Sequence, residues 1–339
     1  MSSSQILLSI CIPTLNRGRY LFETLKTIGA DNNEQVEICI YDGASTDDTE
    51  QLVIQASQTI PNIVYKKAQK NGGLDRDLDN SVRMARGKYC WLMSSDDHFV
   101  PGAIQEMLAK IESENDIYIC NSILCNEKMI PLRQTSYLSS KRERNVFNIS
   151  SKSQFLEYLS LCSSNNALFC YMSSIVFKRT RWVKNRFNEQ FLGTNYAHVS
   201  ALLSFKDSLC NLEYVNKALI MNRPGNDNFS NGGIEKRYLI DLNGYLKIAE
   251  HHFMDDQLTL KKFLSVMQRE HKWYRIAKLR SNCESEQSWL EIKQKLLKFG
   301  YSKKTLLLCD VLGGNKICMR FLLKINTSFP GSKIIRLFR

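Results

Sequence analysis

The sequence lacks the cysteine patterns of disulfide-linked or zinc-binding domains. Its 11 cysteines include no C-x-x-C pair, and an odd number without a framework indicates reduced thiols that pack as small hydrophobic side chains. Because thiols stay reduced in the cytosol, we expect a cytoplasmic protein. Four of these cysteines lie inside predicted strands, at Cys11, Cys39, Cys90 and Cys120.

Long apolar runs are missing as well. No run approaches the roughly 20 residues that a membrane-spanning helix needs. The apolar stretch 6–12 has no basic region before it, so we assign it to a first strand rather than to a signal peptide. Without repeats or low-complexity tracts, the 339 residues fit one catalytic domain with an appendage.

The first two thirds of the chain carry almost no net charge, and the positive charge is concentrated in the last third. Residues 1–234 contain 25 Lys and Arg against 24 Asp and Glu, whereas residues 235–339 contain 21 against 10. We therefore expect a neutral catalytic domain over 1–234 and a basic appendage over 235–339. Apolar residues at helical spacing in the appendage predict helices over 236–253, 258–279, 288–299 and 303–312.

The basic appendage is typical of a protein that binds an anionic membrane surface. Two basic amphipathic segments, 321–325 and 334–339, close the chain, and such segments lie on anionic bilayers. Nucleic acid binding and a solvated helical face are the alternatives. No zinc spacing or recognition-helix pattern supports nucleic acid, so we expect peripheral attachment to a membrane and no nucleic acid partner.

The chain does contain a series of apolar strands that end in polar loops. The strands alternate with helical segments, which indicates an α/β fold with a parallel sheet and right-handed crossovers. In such a sheet the polar loops meet at one edge, where ligands bind. The predicted strands are 6–12, 36–41, 63–66 and 89–93, with helices over 20–28, over 47–57 and up to residue 85.

The most informative loop follows the strand that ends at Met93. Asp96 and Asp97 come directly after an apolar run, and buried unpaired carboxylates are expensive. They bind a hard cation such as Mg2+ or cap the helix that starts near Pro101. Because Asp42 ends another strand at the same edge, three carboxylates line one cleft, which is too many for capping alone.

The ordered strings PTLNR, DGASTDDT, NGGLDRDLDNSVRMARGKY and SSDD resemble the nucleotide-sugar half of family 2 glycosyltransferases. The strings GLDRD, YCWLMSSDD, FLGTNYAHV and RPGNDNF are similar to bacterial O-antigen transferases of the abequosyltransferase type. This resemblance implies a GT-A fold, which is a doubly wound, mostly parallel nucleotide-sugar-binding sheet, followed by a helical C-terminal region.

The same resemblance implies an activity and a set of partners. The enzyme would move a sugar, such as the dideoxyhexose abequose, from a nucleotide-diphosphate sugar to a hydroxyl of a polyprenyl-diphosphate-linked glycan. A CDP-sugar is one candidate donor. The reaction would belong to lipopolysaccharide O-antigen biosynthesis on the cytoplasmic face of the inner membrane.

The resemblance also assigns residues to the donor. Base and ribose contacts would come from Pro13, Thr14, Asn16, Arg17 and Asp42. A surface charge is the alternative for Arg17, and a turn residue is the alternative for Asp42.

Further donor contacts are expected downstream. Arg76 would meet a phosphate as a bidentate donor, and Asp79 would also contact the ligand. The alternative for Asp79 is an ion pair with Arg83 one helical turn away. Arg223 would anchor the polar loop 223–233 as a lid over the diphosphate, or the loop is an ordinary connector.

The metal motif and the catalytic base depart from the family pattern. The family's Asp-X-Asp triplet aligns with Ser95-Asp96-Asp97, so Asp97 would bind Mg2+ or Mn2+ and Asp96 would contact ribose or a metal-bound water. The base that deprotonates the acceptor would be His198, with Glu189 as the second candidate. Packing is the alternative role for a lone histidine.

Two other classes of protein remain open from the sequence. A nucleotidyltransferase also combines acids, Mg2+ and an α/β sheet, although residues 13–17 do not form its glycine-rich, lysine-bearing phosphate loop. A non-catalytic, membrane-associated nucleotide-binding protein is the other, because both the metal motif and the base are altered.

Overall fold

The computed structural model describes residues 5–314, except residues 32, 141, 143, 186, 187 and 227–232. The described residues divide after Asn226 into two compact units. The predicted boundary after residue 234 lies close to this division and falls inside the first helix of the second unit. The predicted basic segments 321–325 and 334–339 lie outside the described residues.

The first unit is built around one mixed sheet. Its strands are β1 (Leu8–Thr14), β2 (Val36–Asp42), β3 (Ile63–Lys67), β4 (Tyr89–Leu92), β5 (His98–Phe99), β6 (Ile117–Cys125), β7 (Pro131–Gln134), β8 (Asn145–Asn148), β9 (Ile175–Lys178) and β10 (Asn211–Asn222). Their order is β3-β2-β1-β4-β9-β6-β10-β5, with β7 beside β6 and β8 beside β10.

The strand directions divide the sheet into two halves. The strands β3, β2, β1 and β4 run parallel, whereas β9 runs antiparallel between β4 and β6. The strand β10 returns parallel to β6. The predicted α/β architecture, with a parallel first half, is confirmed.

Helices cover both faces of this sheet. In chain order they are α1 (Gly18–Gly29), α2 (Thr49–Ser57), α3 (Leu74–Met84), α4 (Ala103–Ile111), α5 (Lys152–Leu161), α6 (Arg179–Lys184) and α7 (Ala197–Leu203). In α1, Leu21, Leu25 and Ile28 recur at helical spacing and are buried in the core with Ile10 and Ile12 of β1. Because both faces are covered, all seven residues of β1 are buried.

The register between strands brings their polar ends together. Thr14 of β1 lies opposite Asp42 of β2, and β4 runs beside β1 in the same direction. The loops after these three strands therefore emerge at one edge, as the sequence predicted. The ten described cysteines are free thiols, and burial raises the pKa of the Cys11 thiol well above its usual value.

The second unit is helical, as predicted. Its helices are α8 (Gly233–Phe253), α9 (Gln257–Glu270), α10 (Trp273–Asn282), α11 (Glu286–Lys298) and α12 (Lys303–Gly314). Within the described residues, no helix is both long enough and apolar enough to span a bilayer.

The prediction of one helix over 258–279 is wrong. His271 leaves the helical conformation with φ −100° and ψ 73°, which separates α9 from α10. The Tyr301 hydroxyl donates a hydrogen bond to the His271 carbonyl at 2.5 Å, so a distant side chain satisfies the helix end. The apolar spacing continues across the break and therefore did not reveal it.

Candidate active site

The loop after β1 is tied to the loop after β2. Asn16 adopts a left-handed φ of 53°, its backbone N–H donates to Ser45 Oγ at 2.8 Å, and its Oδ1 accepts from the Thr46 N–H at 2.8 Å. Thr14 is buried, and its Oγ1 has no hydrogen-bond partner among the described residues. The structure thus brings the predicted residues Pro13, Thr14 and Asn16 to the cleft edge.

Asp42 is fully buried at the end of β2. Its Oδ1 accepts from the Ser45 N–H at 2.7 Å, and its Oδ2 accepts from the Tyr65 hydroxyl at 2.6 Å. Burial and this carboxylate raise the pKa of Tyr65 far above its usual value. Both oxygens of Asp42 are therefore already engaged within the protein.

Asp77 of α3 is a site residue that sequence reasoning missed. It is 4% exposed, and burial followed by the charge of Asp42 raises its pKa to about 7. A side chain at Gly43 would place its Cβ 2.3 Å from Asp77 Oδ2, so the Asp77 carboxylate would have to move. The sequence of residues 75–79, D-R-D-L-D, could have identified it, because Asp77 lies between Arg76 and Asp79, the two predicted donor contacts.

Asp97 points into the protein rather than toward the cleft. Its Oδ2 accepts from the hydroxyls of Tyr171 and Ser173, both at 2.6 Å, and its Oδ1 accepts from the Arg223 N–H at 3.0 Å. Burial and the neighbouring charge of Asp96 raise the pKa of Asp97 above its usual value despite these three donors.

Asp96 is the acid that meets the cleft loops. Its Oδ2 accepts from Arg17 Nη1 at 2.7 Å and from Asn226 Nδ2 at 2.9 Å, while Ser94 donates to its Oδ1. Arg17 also donates to the Asn226 carbonyl. Arg17 is therefore a partner of the acid pair and of the loop after β10, not an isolated surface charge.

The Arg223 side chain donates hydrogen bonds to three separate segments of the chain. Its Nε donates to the Asp96 carbonyl at 3.0 Å, Nη1 to the Glu127 carbonyl at 2.9 Å, and Nη2 to Glu23 at 2.7 Å. The guanidinium also lies 5.0 Å from the Tyr20 ring centroid. Most of its donors are engaged within the protein, so the structure favours a scaffolding role for Arg223 over a phosphate anchor.

A second group of predicted residues lines a shallow pocket at α3. Arg76, Asp79 and Glu189 line it together with Asn80 and Leu192. Arg76 is exposed, and its guanidinium forms no hydrogen bond with the described part of the chain. Asp79 accepts from Arg83 Nε at 2.7 Å and from Trp182 Nε1 at 2.8 Å. The ion pair that was the alternative for Asp79 is thus present.

Asp75 was not predicted as a contact, and it holds the loop before α7. Its carboxylate accepts from the backbone N–H groups of Gly193 at 2.8 Å, Asn195 at 3.1 Å and Ala197 at 3.2 Å. These bonds order the loop between the pocket residue Glu189 and α7.

His198 is buried in α7. It is 5% exposed, and its Nε2 lies 2.9 Å from the Phe169 carbonyl oxygen. Burial lowers its pKa to about 4. The structure does not bring His198 to the surface of the cleft, whereas Glu189 is exposed at the pocket.

Known proteins match this chain in sequence. A sequence model described as Glycosyl transferase family 2 matches residues 9–174. The abequosyltransferase RfbV of Salmonella typhimurium is 36% identical over 276 residues, which cover 79% of this chain and 82% of that protein. A GalNAc(5)-diNAcBac-PP-undecaprenol beta-1,3-glucosyltransferase of Campylobacter jejuni is 24% identical over 316 residues, which cover 91% of this chain and 95% of that protein.

Solved structures match the fold. The S. aureus TarS 1–349 structure in complex with UDP-GlcNAc has a TM-score of 0.62 at 13% identity, covering 86% of this chain and 81% of that one. The mannosyltransferase PcManGT from Pyrobaculum calidifontis, in complex with GDP-Man and Mn2+, has a TM-score of 0.52 at 12% identity, covering 88% and 87%. At these identities the likeness shows the fold alone.

These relatives are glycosyltransferases, so neither a nucleotidyltransferase nor a non-catalytic nucleotide-binding protein is favoured. With a parallel sheet that ends in the predicted acids, and with 36% identity across most of its length, the chain belongs to glycosyl transferase family 2.

Proposed function

We propose that the protein transfers a sugar, such as a dideoxyhexose of the abequose type, from a nucleoside-diphosphate donor to a hydroxyl of a lipid-linked glycan in O-antigen assembly. The observation that carries the proposal is the 36% identity to an abequosyltransferase over 79% of the chain. The Campylobacter relative, whose name specifies a polyprenyl-diphosphate glycan, supports the lipid-linked acceptor.

A divalent cation, Mg2+ or Mn2+, fits the acid pair. Among the described residues no group of three or more His, Cys, Asp or Glu is arranged for a metal ion, but one or two carboxylates with the donor phosphates are enough for Mg2+. Burial, followed by the neighbouring charge of Asp96, raises the pKa of Asp97, and a cation beside the pair would favour the ionised form. Such a cation would stabilise the negative charge that develops on the leaving diphosphate.

The two acids differ in their suitability as metal contacts. Both acids accept three hydrogen bonds, but from different donors. Asp97, the predicted ligand, is held by the hydroxyls of Tyr171 and Ser173 and by the Arg223 backbone N–H. Asp96 is held by the Ser94 hydroxyl and by the side chains of Arg17 and Asn226, which belong to the loops after β1 and β10. We therefore propose exchanged roles, in which Asp96 reaches the cation and Asp97 fixes the loop that carries Asp96. Arg17 would then pair with the donor diphosphate.

The acid at Asp77 supports a cytidine donor, that is, a CDP-sugar. Burial, followed by the charge of Asp42, raises the pKa of Asp77 to about 7, so Asp77 is protonated in a large share of molecules at neutral pH. A protonated carboxyl donates a hydrogen bond to N3 of cytosine, whereas N3 of uracil carries a proton and needs an acceptor. Asp42 would act on the base through Asp77, since its own oxygens are engaged.

The geometry favours Glu189 over His198 as the base. A general base must reach the acceptor hydroxyl, and Glu189 is exposed in the pocket beside Arg76 and Asp79. The buried His198, with its lowered pKa and its carbonyl contact, supports a packing role in α7. Arg76 would bind a phosphate or acceptor group entering this pocket.

The basic C-terminal third supports peripheral binding at the cytoplasmic face of the inner membrane. In α12, Leu307, Leu308 and Val311 are 62%, 44% and 63% exposed on one side of the helix. Lys303 and Lys304 begin the same helix. An apolar stripe next to lysines is the composition of helices that lie in a bilayer interface.

The decisive experiment offers the purified full chain a radiolabelled CDP-dideoxyhexose, a panel of other nucleotide sugars and a polyprenyl-diphosphate glycan, with and without Mn2+. We expect label in the lipid fraction with the CDP donor. Absence of transfer from every donor, by a protein that binds nucleotides, would reject the proposed activity.

A further inference from the structure

The two-stranded ribbon formed by β6 and β7 ends in an exposed apolar tip, residues 126–133. Ile130 and Leu132 are 55% and 62% exposed, and every residue of β7 is exposed. Ile130 directly precedes β7 and Leu132 lies within it, so both exposed apolar side chains stand at the same end of the ribbon. Such surfaces on soluble units mark sites of interaction.

The ribbon tip is held in one conformation by Asn126. Its Oδ1 accepts from the backbone N–H groups of Lys128 and Ile130, both at 3.0 Å, and its own N–H donates to the Ile130 carbonyl at 3.0 Å. Met129 adopts a left-handed φ of 61°, which is strained for a residue other than glycine. Ile130 and Leu132 are therefore exposed on a turn of defined conformation.

The ribbon tip is also anchored to the cleft. The Glu127 carbonyl accepts from Arg223 Nη1 at 2.9 Å, and Arg223 Nε donates to the Asp96 carbonyl at 3.0 Å. One guanidinium therefore connects the base of the tip to the loop that carries the acid pair.

The charges around the tip select an anionic partner. Lys128 and Arg133 flank the apolar pair on either side. The one acid of the tip, Glu127, is directed toward the loop after β10, with its Oε1 3.9 Å from the position of a Cβ at Gly225. Apolar side chains between cations match the boundary between acyl chains and anionic headgroups.

A second copy of this chain is a poorer occupant. Strand pairing along β7 is opposed by Pro131, which has no N–H, and by the charge of Arg133. A stable protein interface needs about 20–30 residues on each side, far more than the tip offers. A lipid bilayer takes up even a small apolar protrusion, because each inserted side chain contributes its own transfer free energy.

We propose that the ribbon tip inserts Ile130 and Leu132 into an anionic lipid surface and thereby holds the cleft where a membrane-embedded acceptor presents its glycan. This inference rests on the proposed lipid-linked acceptor. It places a membrane contact in the catalytic unit itself, independent of the basic C-terminal third.

A tryptophan probe tests the insertion directly. The full-length I130W variant is mixed with vesicles of phosphatidylglycerol and phosphatidylethanolamine that carry brominated acyl chains. The matched control is I54W, on α2, because Ile54 is equally exposed at 57%. We expect quenching, relative to the wild type, for I130W and none for I54W. Equal quenching at both positions, or none at Ile130, would overturn the proposal.

A paired activity assay separates the tip from the chemistry. The I130D/L132D variant should lose about tenfold in vesicle partitioning and in transfer to the vesicle-embedded acceptor, with transfer to the same glycan released from its lipid unchanged. The I54D variant should match the wild type. An equal loss on both acceptors, or a wild-type dimer that this variant dissociates without a change in partitioning, would overturn the inference. If the wild type transfers no sugar, the proposed function fails, and the quenching experiment still decides the insertion.

Discussion

The buried acid at Asp77 makes a quantitative prediction about pH. Its pKa lies at about 7 in the folded protein against 3.8 for the free side chain. A group whose folded pKa is raised stabilises the fold below its unfolded pKa, and this contribution is lost as pH rises through the folded pKa. Because one pKa unit is worth about 1.4 kcal/mol, ionising Asp77 costs about 4 kcal/mol of unfolding free energy above pH 7.

Asp77→Asn removes this titration while keeping the shape of the side chain. At pH 5 the wild type has already lost about 2 kcal/mol, and at pH 8 it has lost about 4 kcal/mol. The advantage of the variant in unfolding free energy should therefore grow by roughly 2–3 kcal/mol between these two pH values. Glu112→Gln, an equivalent change at an exposed acid, should show no such growth.

The assay is urea unfolding at pH 5 and pH 8, followed by hydrogen exchange in peptides of β1 and β2 so that the first unit is observed alone. Parallel pH profiles for the wild type and Asp77→Asn would refute the reasoning. The outcome does not depend on the identity of the substrate.

The same acid predicts how nucleotides bind. If protonated Asp77 donates to cytosine N3, CDP affinity of the wild type should fall about tenfold from pH 6 to pH 8, following the protonated fraction. UDP affinity should not fall with it. Asp77→Asn keeps a donor and should bind CDP without this pH dependence, whereas Asp77→Leu should lose the preference for CDP. Calorimetry at the two pH values measures all of these, and a pH-independent wild type would contradict the proposed contact.

Four further predictions concern the acids, the base and the C-terminal third. Asp97→Ala should lower the unfolding free energy by about 3–6 kcal/mol, because two hydroxyls and a backbone N–H lose their acceptor, and near-native stability would contradict the structural role. Asp96→Ala leaves only side-chain donors, which can turn to water, so it should stay folded and lose donor turnover. His198→Ala should lower the melting temperature with kcat within about threefold of wild type, and a hundredfold loss of kcat at an unchanged melting temperature would restore it as the base. Glu189→Gln should lower kcat by about 10²–10⁴ with donor affinity unchanged, so wild-type kcat would exclude it. Removing residues 313–339 should weaken binding to anionic vesicles in a salt-dependent way and leave CDP binding intact, and salt-insensitive binding would reject the electrostatic attachment.

The sequence predicted the strands and the acids at their ends because both depend on local patterns. An apolar run followed by Asp96 and Asp97 indicates where a buried strand ends. The direction in which each acid points depends on Tyr171 and Ser173, which lie far along the chain, so the roles of the two acids could not be separated from the local pattern.

Long-range contacts account for the other differences. The donors of Arg223 bind groups on three separate segments, and a loop sequence does not reveal such a hub. His198 has a suitable intrinsic pKa, but its burial against the Phe169 carbonyl is a tertiary effect. Asp77 was within reach of sequence reasoning, since it lies in α3 between Arg76 and Asp79, the two positions predicted to contact the donor.

The hydrogen bonds of Asp97 bear on how the chain is synthesised. Its acceptor oxygens are satisfied by residues 74, 76 and 126 positions downstream. A nascent chain that has emerged only to residue 174, where the family match ends, still lacks Arg223 and the whole of β10, which pairs with β6. The segment that the family model matches is therefore not a separable folding module, and contacts of such long range form late and slowly. Fragments cut at the family boundary should be recovered as aggregates, whereas a cut after residue 226 respects the way the sheet is assembled.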